Sequence, residues 1–227
     1  MKTAVIIGST GLTGSLLVKK LVQEGSFGQI IAICRNKSSV NQQVFTSPKV
    51  RLIEFNFQNW NDLEMQIKSF IGTSQSVFFC CLGTTIKQAG SKEAFRKVDH
   101  DYFVNFAKLA NSCRAEQLIL VSGLGADKNS SVFYSRTKGE MEENVRGAYS
   151  GNLHILRPSL LLGDRKDFRF GERVLILLAP VYSSWLIGGL KKYQPVSAEK
   201  VVKTMFLLAE KKLSGGLILE NSDILKS

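Results

Sequence analysis

The chain has 227 residues, 44% hydrophobic and 22% charged, the balance of a globular domain with a core large enough to hold a ligand cleft. Its 30 Lys and Arg against 19 Asp and Glu give a formal charge of +11. The cations are spread along the whole chain and accompany no zinc-finger, helix-turn-helix or RNA-binding signature, so no nucleic acid is expected as partner. No run reaches the roughly 18 uninterrupted apolar residues of a spanning helix, and the apolar run ending at Gly8 is too short and strand-like for a signal peptide, so a cytoplasmic protein is expected.

Thr3–Ile7 predicts a first strand and Leu12–Glu24 a helix, with Leu16, Leu17, Leu21 and Val22 on one face. Ile30–Cys34 and Val50–Phe55 predict the second and third strands, Asp62–Ile71 a short helix, Ser76–Leu82 a fourth strand and Lys92–Cys113 one long helix. Leu118–Ser122 follows as a fifth strand, Tyr134–Tyr149 as a helix, and Leu153–Leu156 as a sixth strand stopped by Arg157-Pro158. Strands that are apolar along their whole length are buried on both faces, so the alternation predicts an α/β domain with a doubly wound parallel sheet. Beyond Leu160 the pattern turns irregular, with helical stretches near Glu172–Leu178 and Ala198–Lys211 and a short strand at Gly216–Glu220. One domain over 1–227 is expected, with 160–227 forming a small C-terminal cap on the substrate side. The apolar run Val174–Leu190, broken by Pro180, Gly188 and Gly189 and followed by Lys191 and Lys192, reads as pocket wall or cap packing. Peripheral contact with a membrane or a partner is the alternative reading.

Cys34, Cys80 and Cys81 lie in strand-like runs and Cys113 ends a helix-like one. None has metal-ligand spacing, and reduced, mostly buried thiols are expected. Asp99, His100 and Asp101 are consecutive on a helix and fan outward, so no metal site is expected. His154, inside the sixth strand, reads as structural.

Gly8-Ser9-Thr10-Gly11-Leu12-Thr13-Gly14 joins the first strand to the first helix. The first glycine permits a tight turn, the second lets backbone approach a pyrophosphate, and the third lets helix pack on strand. The helix N-terminus offers free N–H groups to the phosphates. The second strand ends at Arg35, with Lys37 nearby, where NAD-preferring domains carry an acidic residue for the ribose hydroxyl. A guanidinium there suits a 2′-phosphate, so NADP(H) is expected over NAD(H). Asn56 and Phe57, after the third strand, are placed to flank the adenine. Leu82, Gly83, Thr84 and Thr85, after the fourth, are placed to meet the riboses.

Tyr134 and Lys138 stand four apart, hence on one helix face, and Ser122 ends the fifth strand. This set suits carbonyl reduction or alcohol oxidation on a small-molecule substrate. Ser122 would bind the substrate oxygen, Tyr134 would donate a proton to it, and Lys138 would lower the phenol's pKa and hold the nicotinamide ribose.

The glycine motif, the Ser122…Tyr134-xxx-Lys138 set and Arg157-Pro158 resemble the short-chain dehydrogenase/reductase superfamily. Cys80-Cys81-Leu82-Gly83-Thr84-Thr85, Val98-Asp99-His100-Asp101-Tyr102, Gly125-Ala126-Asp127, Lys138-Gly139-Glu140 and Leu162-Gly163-Asp164-Arg165 are similar to its atypical branch, which contains the Tat-interacting oxidoreductase-like proteins. The resemblance, running from Val5 to about Met205, implies a Rossmann-type fold with bound NADP(H). It adds Arg157 and Pro158 to the cofactor site and suggests a homodimer through the helices after the fourth and fifth strands. A catalytically weak NADP(H)-binding regulator or sensor is the alternative function. Many relatives have Asn at the position of Asp99. If the family's substrate-orienting serine belongs two positions after Ser122, Leu124 occupies its place and Ser122 only lines the cofactor.

Overall fold

The computed structural model describes residues 2–40, 43–163, 193–211 and 215–227. Seven strands form one parallel sheet: β1 (Lys2–Ile7), β2 (Phe27–Cys34), β3 (Val50–Glu54), β4 (Ser76–Cys80), β5 (Gln117–Val121), β6 (Asn152–Arg157) and β9 (Leu217–Glu220). Their order is β3-β2-β1-β4-β5-β6-β9, so the connections reverse direction between β1 and β4. That reversal opens a crevice outside the carboxyl ends of the strands, the place where doubly wound sheets bind ligands.

The apolar runs are buried from both sides. Val5, Ile7, Ile31, Ile33, Phe78 and Leu118 point into one layer, covered by α2 (Trp60–Ile71), α5 (Tyr102–Ser112) and α6 (Phe133–Ala148). Their neighbours Ala4, Ile6, Ile30, Ala32, Phe79 and Ile119 point into the other, covered by α1 (Leu12–Glu24) and α7 (Ala198–Glu210). A strand whose every side chain is buried needs both layers, and the chain supplies them by alternating helices.

Two expectations are corrected. The helix expected over Lys92–Cys113 is broken into α4 (Lys92–Arg96), a π-helical turn (Lys97–Asp101) and α5. The wider turn brings Asp99 and His100 inward, where both are buried. It is the kind of bulge found at functional sites. The second correction concerns the expected cap over 160–227. Its described C-terminal part belongs to the main domain: α7 lies against α1, and β9 pairs in parallel with β6, from His154 opposite Leu217 to Arg157 opposite Glu220. The close approach is possible because Gly216 has no side chain; a Cβ there would fall onto the Leu153 carbonyl oxygen. A final helix, α8 (Asn221–Lys226), follows. Beside these lie a single-turn α3 (Ile86–Ala89) and a two-stranded pair of β7 (Leu161–Leu162) with β8 (Val196–Ser197). The helix expected at Glu172–Leu178 and the apolar run Val174–Leu190 lie outside the described residues.

Candidate active site

The crevice is built largely from backbone. Gly8 has φ +76°, and a Cβ on it would come within 2.7 Å of the Cys81 carbonyl group at the end of β4. Ser9 is buried, and its hydroxyl donates to the Ile33 carbonyl at 2.8 Å, pinning the turn to β2. Gly11 caps α1 without a side-chain hydrogen bond, and the first turn holds no acidic residue. The free N–H groups of α1 therefore have no acidic side chain of their own turn to bind, which fits a diphosphate. Gly14 lets α1 sit on the turn, since a Cβ would overlap the Gly8 carbonyl oxygen. Thr10 is exposed and Thr13 buried; Leu12 touches Gly163, whose Cβ would come within 2.8 Å of the Leu12 side chain.

Arg35 is exposed at the carboxyl end of β2. Close by, Glu54 accepts the Lys37 backbone N–H at 3.1 Å. After β3, Asn56 accepts the Gln58 N–H at 3.1 Å, and Phe57 takes φ +64°, which a bulky side chain rarely adopts. Phe57 stacks on Tyr102 at 4.3 Å between centroids, with Trp60 beside both. This ring cluster lies just after β3, the stretch expected to flank the adenine. Nothing in the local pattern of Tyr102, just after the π-turn, links it to β3.

Deeper in the crevice, Lys138 and Asp99 form a buried ion pair, Nζ to Oδ1 at 2.8 Å, with side chains 3% and 2% exposed. The other Asp99 oxygen accepts the Thr84 N–H at 2.9 Å, which ties the Leu82–Thr85 loop to α6. The Lys138 ammonium also lies 4.8 Å from the Phe103 ring centre. Burial by itself would drive its pKa down; the Asp99 carboxylate reverses this and holds it above the ordinary lysine value. One turn earlier, the Tyr134 phenol lies over Gly123, where a Cβ would collide with its hydroxyl, and its ring sits 5.7 Å from Phe95. Gly123 thus makes room for the phenol at the end of β5. Burial pushes the nearby Cys80 thiol up to about 12, so it stays protonated at neutral pH.

Ser122 does not join this pair. Its buried hydroxyl lies 2.6 Å from Glu142 Oε1, and because a carboxylate only accepts, the serine proton is already given. The same Glu142 binds Arg157 through both oxygens, at 3.0 and 2.6 Å, and Arg157 reaches Glu220 at 2.8 Å. Arg157 is therefore a clamp across α6, β6 and β9, with Nε, Nη1 and Nη2 each donating to a carboxylate. Pro158 is buried, and its carbonyl accepts the Leu124 N–H at 2.9 Å. Ser122, expected at the substrate, and Arg157, expected at the cofactor, are thus both engaged with Glu142. The Lys138-xxx-Glu142 spacing could have pointed to Glu142, since residues four apart share a helix face.

Residues 8–167 match the NAD(P)H-binding family. Protein HTATIP2 of Rattus norvegicus is 34% identical over 171 residues, covering 75% of this chain and 67% of that protein. Protein fmp52, mitochondrial, of Aspergillus fumigatus is 30% identical over 234 residues, covering 100% of this chain and 98% of its own length. Among solved structures, the UDP-glucose 4-epimerase of Thermotoga maritima superposes with a TM-score of 0.68 at 19% identity, covering 97% of this chain and 77% of that one, a likeness of fold. A glycine-lined crevice with free helix amides, a Tyr–Lys helix turn beside it and these matches together make the chain a member of the NAD(P)H-binding family, in the atypical short-chain dehydrogenase/reductase branch.

Proposed function

We propose that the protein is an NADP(H)-dependent oxidoreductase that reduces a small carbonyl compound or oxidises the corresponding alcohol. The observation that carries this reading is the Tyr134 phenol laid over Gly123, one helical turn from the buried Lys138 and beside the glycine crevice. A bound nicotinamide supplies or accepts the hydride. In reduction, Tyr134 Oη gives its proton to the substrate oxygen as the carbonyl carbon gains hydride, and the Lys138 ammonium stabilises the charge left on the phenolic oxygen. Arg35 supports the preference for NADP(H), because an exposed guanidinium at the end of β2 pairs with a 2′-phosphate through charge-assisted hydrogen bonds.

A second reading has one observation in its favour. With its proton committed to Glu142, Ser122 offers no donor beside Tyr134 to orient a substrate oxygen. A protein that binds NADP(H) as a sensing ligand would need none. The two readings separate in a screen of carbonyl compounds for NADPH oxidation, with Tyr134→Phe as control. The enzyme predicts turnover that the variant loses by at least about a hundredfold, whereas equal rates in the two proteins would end the catalytic proposal. Fluorescence titration with NADPH and NADH tests the cofactor preference: Arg35→Ala should weaken NADPH binding about tenfold, the worth of one charged hydrogen bond, and leave NADH unchanged.

A further inference from the structure

We propose that Asp99 is the positioning residue of this site: its carboxylate joins the Thr84 backbone to the Lys138 side chain and keeps that amine charged. The inference rests on the reading of Tyr134 and Lys138 as a proton-handling pair only for its meaning in catalysis.

The geometry asks for a carboxylate. Asp99 has two acceptor oxygens, and each faces a donor: Oδ2 the Thr84 N–H at 2.9 Å, Oδ1 the Lys138 ammonium at 2.8 Å. An asparagine has one acceptor and one NH2 group. Turned either way, its NH2 would meet a donor unless Lys138 gave up its proton and became the acceptor. A buried ammonium that loses its counter-charge favours that outcome, since desolvation penalises the charged form. The other groups facing Lys138 supply no permanent negative charge. They are the Tyr134 phenol on its own helix, the protonated Cys80 thiol from β4 and the Phe103 ring from α5. Glu142, one turn further along, is held by Arg157 and Ser122. Asp99 is delivered to this point by the π-turn, which lets its side chain reach inward.

Two consequences follow for the site. The ammonium is fixed at one place between the ribose-facing loop and α6, so loop and helix keep a common register. The carboxylate also pairs with the lysine's charge, so Tyr134 faces a paired cation instead of a bare one.

The test reads the amine directly and needs no turnover. The folded chain is reductively methylated with formaldehyde and borane over a pH series, and Lys138 is followed by peptide mass mapping. The pH midpoint of labelling reports charge, because restricted access slows labelling equally at every pH. In the wild-type chain, Lys138 should stay unlabelled up to the ordinary lysine range of about 10.4; labelling already at neutral pH would overturn the proposal without any variant. Asp99→Asn should move the midpoint down by a unit or more, which is about a tenfold gain in free amine. Asp99→Glu, which restores the charge, should return it towards wild type. An Asp99→Asn protein that folds and labels with the wild-type midpoint would also overturn the proposal. A chain that never oxidises NADPH would remove the catalytic reading and leave this result standing.

Discussion

The two halves of the crevice are held by different physics. On the β1–α1–β2 side the walls are main chain: a left-handed glycine, a bare helix N-terminus and a glycine that lets helix touch turn. On the β5–α6–β6 side they are paired charges, Asp99 with Lys138 and Glu142 with Arg157, the latter drawing in Ser122 and Glu220. Steric fit tolerates no added atom but is indifferent to pH and salt. Charge networks tolerate small shifts but fail when one partner is removed, because the other is left desolvated.

The sharpest way to break the charged half is Glu142→Ala. It leaves the Arg157 guanidinium with Glu220 as its one carboxylate partner among the described residues and frees the Ser122 hydroxyl. A loss of about 3 kcal/mol of stability is expected, measured by urea unfolding, while the folded fraction still binds NADPH. A cost below about 1 kcal/mol would mean that Arg157 finds water in place of Glu142. Gly14→Ala attacks the other half. Its methyl group overlaps the Gly8 carbonyl oxygen, so α1 must move. Here the expected loss is smaller, about 1–3 kcal/mol, but NADPH affinity should fall as well, because the free amides move with the helix. If Gly14→Ala left NADPH binding untouched while Glu142→Ala abolished it, the assignment of roles to the two halves would be reversed.

The smallest expected effect depends on pH and lies beneath the charged half. His154, in β6, is fully buried, and neither ring nitrogen has a hydrogen-bond partner among the described residues. Burial lowers its pKa below the ordinary value of 6.5. The unfolded chain therefore takes up the proton first, and the stability held by neutral His154 is complete above that value and drains away as pH falls through it towards the folded pKa. Unfolding curves at pH 7.5 and 5.5 should differ more in the wild-type chain than in His154→Leu. Equal differences would show that His154 finds a partner when charged.

Much of the fold was legible because its signals are local. Apolar runs of strand length, helical periods between them and Gly8, Gly11 and Gly14 at a strand–helix junction each report on a few neighbouring residues, and the structure repeats them with shifts at the element ends. Tyr134 and Lys138 were legible for the same reason, being one turn apart on one helix. The misreadings came where partners are distant in sequence. Lys92–Cys113 has the apolar pattern of one helix, and nothing in it marks the π-turn, whose purpose is a lysine nearly forty residues later. The sequence shows no partner for Ser122, because Glu142 lies on another element.

What the sequence determined by itself is the parallel sheet, its crevice and the kind of anion the crevice receives, because backbone turns and burial patterns are written within a few residues of one another. Only the tertiary structure decided which charges meet. It gave Asp99 to Lys138, gave Glu142 to both Ser122 and Arg157, and added β9 as a seventh strand beside β6. An isolated carboxylate in the sequence is compatible with many partners. Burial removes water as the alternative, and only then does the nearest opposite charge become obligatory.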